Sequence, residues 1–239
     1  MQVQVFGNRL SPFVEKVVRA IMLKGLEYTL VPVKSPLDFK RWNPRAGKMP
    51  VLDIDGERTY DSTLILRALD ARFPEPPLVD PDPQVAARQR FVEDWSDEAL
   101  YWYGMALRWA DVNADATVAQ VIGTMPLPAL ARPLVAIVFR RQASAQARAQ
   151  GLARLPIDVV LTELERRFDE LLVWLADRPF FFADRPSVAD LAIFGQMQGL
   201  QSGPTPQAVE LIGRRPALQT YFARVDEATR GRASASAAA

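Results

Sequence analysis

Polar and apolar residues alternate over Gln2–Phe6, with Val3 and Val5 on one side, which predicts a short β-strand. From Ser11 to Lys24 the spacing becomes helical, through Phe13, Val17, Ala20 and Ile21, and Gly25 stands where a helix C′ residue belongs. Tyr28–Val33 is rich in β-branched and apolar residues and reads as a second strand. Val51–Ile54, a turn at Asp55-Gly56, and Glu57–Tyr60 read as a hairpin. Ser62 then opens an amphipathic helix through Leu64, Ile65, Ala68, Leu69 and Phe73, closed by Pro74. The pattern is therefore β-α-β, a loop region, then β-β-α.

Five prolines crowd the stretch between Phe73 and Gln84, which reads as a stiff interdomain linker. Beyond it the period is helical throughout. Segments are expected over 84–110, 117–149 with breaks at Pro126, Pro128 and Pro133, 156–176, 187–201 and 216–228. Trp95, Trp102 and Trp109 recur every seven residues with Ala99 and Ala106 between them, one continuous face on the first long helix. The tail GRASASAAA is low-complexity and is expected to be mobile. These signals divide the chain into 1–77, a linker 78–84, a helical domain 85–230 and a flexible tail 231–239.

Composition narrows the chemistry. The 239 residues include no cysteine and no histidine. That excludes a disulfide framework, a thiolate nucleophile, a redox CxxC pair, a Ser-His-Asp triad and His- or Cys-ligated zinc. Charges nearly balance, 29 Lys plus Arg against 28 Asp plus Glu, so no nucleic-acid partner is expected. The longest apolar stretch, Leu127 to Phe139, is interrupted by Arg132 and Pro133, and neither a spanning segment nor a membrane partner is expected. The start MQVQVFG lacks a basic n-region and an apolar h-region, so no signal peptide is expected, and the chain reads as cytoplasmic.

Three segments could carry chemistry. In Asn8-Arg9-Leu10-Ser11-Pro12-Phe13, Ser11 precedes a proline at the first helical position. It either caps the helix or joins the free amides there in holding an anion. In Gly47-Lys48-Met49-Pro50-Val51, Pro50 opens a strand, and a cis bond before it would turn the Met49 backbone outward toward an extended ligand. Lys48 is otherwise a solvated surface lysine. In Tyr60-Asp61-Ser62-Thr63, Ser62 is the expected N-cap, and the Asp61 carboxylate beside it could receive an ammonium group. A fourth segment, Ser187-Val188-Ala189-Asp190, reads as a structural capping box.

Taken in order, Ser-Pro-Phe, Asn43-Pro44, Lys48-Met49-Pro50-Val51-Leu52 and Asp61-Ser62, followed by an all-helical region, resemble the serine-type glutathione transferases. The resemblance covers nearly the whole chain. It implies a thioredoxin-like α/β domain of order β-α-β-α-β-β-α, then an all-α helical bundle. It further implies that Ser11 hydrogen-bonds the thiol of glutathione, taken as co-substrate with no metal, and favours its thiolate. Phe13, Lys48, Met49, Pro50, Asp61 and Ser62 would hold the tripeptide, and Tyr103 would border a pocket for a hydrophobic small molecule. A homodimer is implied as well. A glutathione-binding scaffold without turnover, or a glutathione-dependent isomerase, remains an alternative. A dithiol reductase does not, since the protein has no thiol.

Overall fold

The structure, a computed structural model, describes residues 1–125 and 127–230 together with the strand Ala235–Ala237. The break expected at Pro126 and the rest of the tail lie outside the described residues.

Strand β1 (Val3–Phe6) is followed by α1 (Pro12–Leu23), β2 (Tyr28–Val31), α2 (Pro36–Trp42), β3 (Val51–Ile54), β4 (Glu57–Tyr60) and α3 (Ser62–Arg72). β1 pairs in parallel with β2, Val5 opposite Leu30, and antiparallel with β3, Val5 opposite Leu52. β3 and β4 form the hairpin, with Asp55 and Gly56 both at positive φ (55° and 92°), as a type I′ turn requires. This is the order β-α-β-α-β-β-α of a thioredoxin-like domain. α2 occupies the stretch whose residue pattern reads as loop. Only seven residues long, it is set up by Ser35 and Asp38 in a capping box, with Pro36 at its first position. In the tail, Ala235–Ala237 runs parallel to β2 as β5, filling that strand's open edge where a mobile segment is expected.

The helical region begins with α4 (Pro83–Trp95), capped by the Asp82 carboxylate, which accepts from the Gln84 and Val85 amides. α4 runs through a π-helical turn (Ser96–Leu100) straight into α5 (Tyr101–Arg108). α6 (Asp111–Gly123), α7 (Arg132–Gln150), α8 (Ile157–Leu175), α9 (Val188–Ser202), α10 (Pro206–Gly213) and α11 (Pro216–Thr229) follow. The extra residue of the π turn rotates everything after it about the helix axis. The tryptophan repeat therefore does not make one face: Trp95 packs on the main helical core, Trp109 is buried in a separate cluster with Ala114, Ala143 and Ala147, and Trp102 lines a cleft.

Two apolar cores meet at α9. Its residues Val188 through Met197 are all buried, and Val188 and Leu191 belong to the core of the sheet domain while Ile193, Phe194 and Met197 belong to the helical one. Leu78 from the linker is fully buried in the sheet-domain core, worth about 1.5–3 kcal/mol, and its carbonyl accepts from the Val188 amide at 2.8 Å. Asp190, wholly buried, holds this start of α9 in place. One carboxylate oxygen accepts from the Ser187 amide (2.8 Å) and hydroxyl (2.9 Å), the other from the Phe181 amide and the Tyr221 hydroxyl, both at 2.9 Å.

Candidate functional site

The close packing of α1 against α9 puts the start of α1 at the mouth of the groove between the domains. Ser11 is its N-cap, in extended conformation (φ −80°, ψ 124°), and Pro12 takes the first helical position. The Ser11 side chain makes no capping hydrogen bond. The loop before it is set instead by Asn8, whose carbonyl accepts from the Ser11 amide and whose side chain accepts from the Leu10 amide, both at 2.9 Å. Arg9 then clamps this loop to α1 through a bidentate pair with the fully buried Glu15 at 2.6 and 2.7 Å. Of the two sequence readings of Ser11, the hydroxyl is therefore left free for something other than the cap.

The opposite lip is the loop before β3. Buried Asn43 staples it, donating to the Lys48 carbonyl at 2.8 Å while its side-chain oxygen accepts from the Ala46 amide at 3.0 Å. The Met49–Pro50 peptide bond is cis. Met49 lies just before the β1–β3 ladder, which starts at Val51, so its backbone is outside the sheet.

The third wall is the start of α3. The N-cap is Asp61, not Ser62: its carboxylate accepts from the Thr63 amide (3.0 Å) and the Leu64 amide (3.1 Å), and Ser62 is the first helical residue, its side chain buried. Asp61 has φ 74°, which costs a non-glycine residue roughly 1–3 kcal/mol and persists only where the surroundings impose it.

These walls enclose two adjoining lobes. A sheet-side lobe of about 580 Å³ contains Phe13, Lys48, Met49, Pro50, Asp61 and Ser62. A helix-side lobe of about 450 Å³ contains Ser11, with Phe13, Lys48 and Met49 shared between the two. Seven of the eight residues singled out from sequence thus come together in one cleft. Tyr103 does not. It lies buried in the helical core, and Tyr101 and Trp102 take the wall instead, because the π turn rotates α5. Phe13 packs on Tyr101 with ring centroids 5.0 Å apart, and Tyr101 on Trp102 at 5.1 Å. The far wall comes from the 117–156 region, through Val121 of α6, Thr124 just past its end and Gln146 of α7.

At the seam of the lobes stands Asp97, from the π turn. Its Oδ2 accepts from Lys16 Nζ at 2.5 Å, and Lys16 also reaches Glu93 at 2.7 Å and Thr63 at 3.3 Å. Its Oδ1, also buried, has no hydrogen-bond partner among the described residues. Burial pushes the Asp97 carboxyl up to about 6, against the pull of Lys16. No signal in the sequence marks this carboxylate, one acid among several on a long helix. No cluster of metal-ligating side chains occurs among the described residues.

Residues 5–77 match the family described as the N-terminal domain of glutathione S-transferases. A glutathione transferase from Zea mays is 36% identical over 107 residues, 41% of this chain and 48% of that protein. A maleylacetoacetate isomerase from Pseudomonas aeruginosa is 37% identical over 82 residues, 30% of this chain and 38% of that protein. The chain therefore spans less than half the length of the curated relatives it matches here. A glutathione S-transferase from Methylobacterium radiotolerans, solved with glutathione sulfonate, superposes over the whole of both chains with a TM-score of 0.62 at 23% identity, a likeness of fold. Residues 5–77 thus match the N-terminal domain of glutathione S-transferases, and the chain as a whole, helical region included, shares the fold of a solved glutathione S-transferase.

Proposed function

We propose that the chain binds glutathione in the sheet-side lobe, ionises its thiol at Ser11, and transfers the thiolate to an apolar electrophile held in the helix-side lobe. The observation that carries this reading is the Ser11 hydroxyl. It sits at the N-terminus of α1, unspent on capping, in a cleft that also holds Met49–Pro50 and Asp61–Ser62.

Each wall has a part. Met49 offers its backbone to the cysteinyl unit, and Lys48, exposed at the rim, neutralises a carboxylate. Asp61 and Ser62 take the γ-glutamyl end, the carboxylate of Asp61 receiving the ammonium and the amides of α3 the carboxylate. Phe13 and Pro50 supply apolar contact. A free thiol titrates near ~8.5, and each unit of lowering is worth about 1.36 kcal/mol. A hydroxyl donor together with a helix N-terminus can supply one to two such units, by roughly the usual strength of a hydrogen bond to a charged group. Water then serves as proton acceptor, so the absence of histidine is no obstacle. Phe13, Tyr101 and Trp102 make the electrophile's wall aromatic.

The divisions 1–77, 78–84 and 85–230 follow the change from sheet to helices on either side of the Pro-rich segment. A homodimer is supported by Leu64 of α3 and Phe91 of α4, 51% and 64% exposed on the two domains. The role proposed is cytoplasmic and detoxifying; among the described residues no helix is long and apolar enough to cross a membrane. The isomerase reading draws on the Pseudomonas relative. It would use the same thiolate on an unsaturated acid rather than on a leaving group.

Calorimetric titration with glutathione, followed by turnover of a panel of electrophiles by wild type and Ser11→Ala, tests the proposal. Binding with turnover that collapses in Ser11→Ala is expected. Absence of binding sinks the reading, and binding without turnover assigns the chain to the scaffold class.

A further inference from the structure

Arg108 ends α5 at the floor of the helix-side lobe. Its guanidinium has five N–H donors. One, on Nη2, reaches the Gly199 carbonyl near the C-terminus of α9 at 2.5 Å, and no carboxylate lies within ion-pair distance among the described residues. The close packing around it is fixed on one side: a Cβ at Gly203 would meet Nη2 at 2.9 Å and Nε at 3.0 Å. Capping α9 accounts for the Nη2 contact and part of the charge, since a helix C-terminus carries about half a negative charge. Neighbouring carbonyls of α9 are met by neutral donors, Leu200 by the Thr205 hydroxyl and Ser202 by the Gln120 amide. Arg108 is half-buried, and the Gly199 bond is the one its guanidinium makes among the described residues, so donors are left over at the lobe it lines. Burial pulls the Arg108 guanidinium downward, and Tyr101 is the one nearby group that favours its charged form.

The acids of this lobe lie elsewhere. Asp97 and Glu98 are at the seam, eleven and ten residues earlier on the same continuous helix, so about 15 Å away along its axis. At the seam these acids stand with Lys48, and Asp97 is already paired with Lys16, whereas Arg108 lines the lobe with no acid beside it among the described residues, beyond Tyr101 and Trp102 along the helix.

From this we infer that the electrophile is an apolar molecule bearing a carboxylate or comparable anion, which pairs with Arg108 while its apolar body lies on Tyr101 and Trp102. The inference rests on the helix-side lobe being the acceptor site of the proposed transferase. An anion there completes the guanidinium's donors and holds the acceptor end-on, with its reactive carbon toward Ser11. A planar fork suits a carboxylate better than an ammonium does.

Two acceptors of one chemistry make the test, 4-chloro-3-nitrobenzoate and 1-chloro-2,4-dinitrobenzene, in which a carboxylate replaces a nitro group. The quantity read is the ratio of their kcat/KM values in wild type, Arg108→Gln and Arg108→Lys. The ratio is expected to fall about tenfold or more in Arg108→Gln, as losing a charge-assisted hydrogen bond implies, and to recover substantially in Arg108→Lys. A ratio that stays constant while both rates fall together would mean that Arg108 only caps α9, and overturns the inference. Quenching of intrinsic tryptophan fluorescence by 3-nitrobenzoate and by nitrobenzene, without glutathione, gives a readout independent of turnover. Tighter binding of the acid that disappears in Arg108→Gln supports the inference even if no conjugation is seen, and equal binding of the two by wild type overturns it.

Discussion

Lys16 Nζ stands 2.5 Å from Asp97 Oδ2, a buried ion pair that joins the first helix of the sheet domain to the π turn of the helical one. Glu93 shares the ammonium at 2.7 Å and accepts from the Thr63 hydroxyl at 2.8 Å, so three helices converge on one cation. Such a cluster contributes through what its loss leaves behind. In Lys16→Met two buried carboxylates lose their counter-ion, at a cost of about 3–5 kcal/mol. Urea unfolding of wild type and variant at neutral pH measures this. A loss below about 1 kcal/mol would show that the domains are held by apolar contact alone.

The same carboxylate makes stability depend on pH in an unusual direction. The folded protein holds the proton of Asp97 up to about 6, against 3.8 for an ordinary aspartate, and burial does the same to Asp190. Both groups bind a proton more tightly folded than unfolded, so stability should rise as pH falls from about 6 to about 4. Each can contribute at most about 3 kcal/mol, two pH units at 1.36 kcal/mol per unit. Below that window the trend reverses, as carboxylates such as Asp169, held low by its hydrogen bonds with Arg215, are protonated. Denaturation midpoints measured across this range should show roughly half the wild-type slope in Asp97→Asn. An unchanged slope would place the titration elsewhere.

For Ser11 the sharper measurement is a pH–rate profile. With the hydroxyl removed, the amides of α1 remain, so glutathione should still bind but its thiol should titrate about one unit higher, the hydroxyl's share of the lowering. Below neutrality Ser11→Ala should therefore run about tenfold slower than wild type and approach it as pH rises. A uniform loss at every pH would mean that Ser11 positions the ligand without stabilising its charge.

Much of this arrangement is legible in the residues, and what is not has a physical reason. Ser11, Met49–Pro50 and Asp61–Ser62 announce themselves because caps and prolines act locally, within a few residues of where they stand. The Ser187–Asp190 box is readable for the same reason. α2 left signals of that kind too, in Ser35-Pro36 and Asp38, but seven residues are too few for a periodicity to register. The π turn leaves none: it inserts a residue into a helix without altering its composition, and it is in the folded chain that Tyr101 rather than Tyr103 meets the cleft. Asp61 taking the cap from Ser62 is a finer miss, since both residue types are good caps and the choice depends on φ at position 61.

Gly195 offers a test that touches no ligand. It lies mid-way along α9 and faces the first turn of α1, where a Cβ would stand 2.4 Å from the Pro12 carbonyl oxygen. The obstacle is backbone, with no flexible side chain to move aside, so Gly195→Ala must push α1 away from α9. Overpacking of this kind costs about 1–3 kcal/mol, and a helix interior regains at most about 1 kcal/mol from replacing glycine by alanine. The displacement falls on Pro12, the neighbour of Ser11. Activity should consequently drop by more than the loss of folded protein explains, with kcat falling and glutathione affinity, set largely by the other two walls, changing less. Turnover corrected for the folded fraction, beside calorimetry with glutathione, separates the effects. Full specific activity in the folded fraction would show that the position of Ser11 does not depend on the α1–α9 contact.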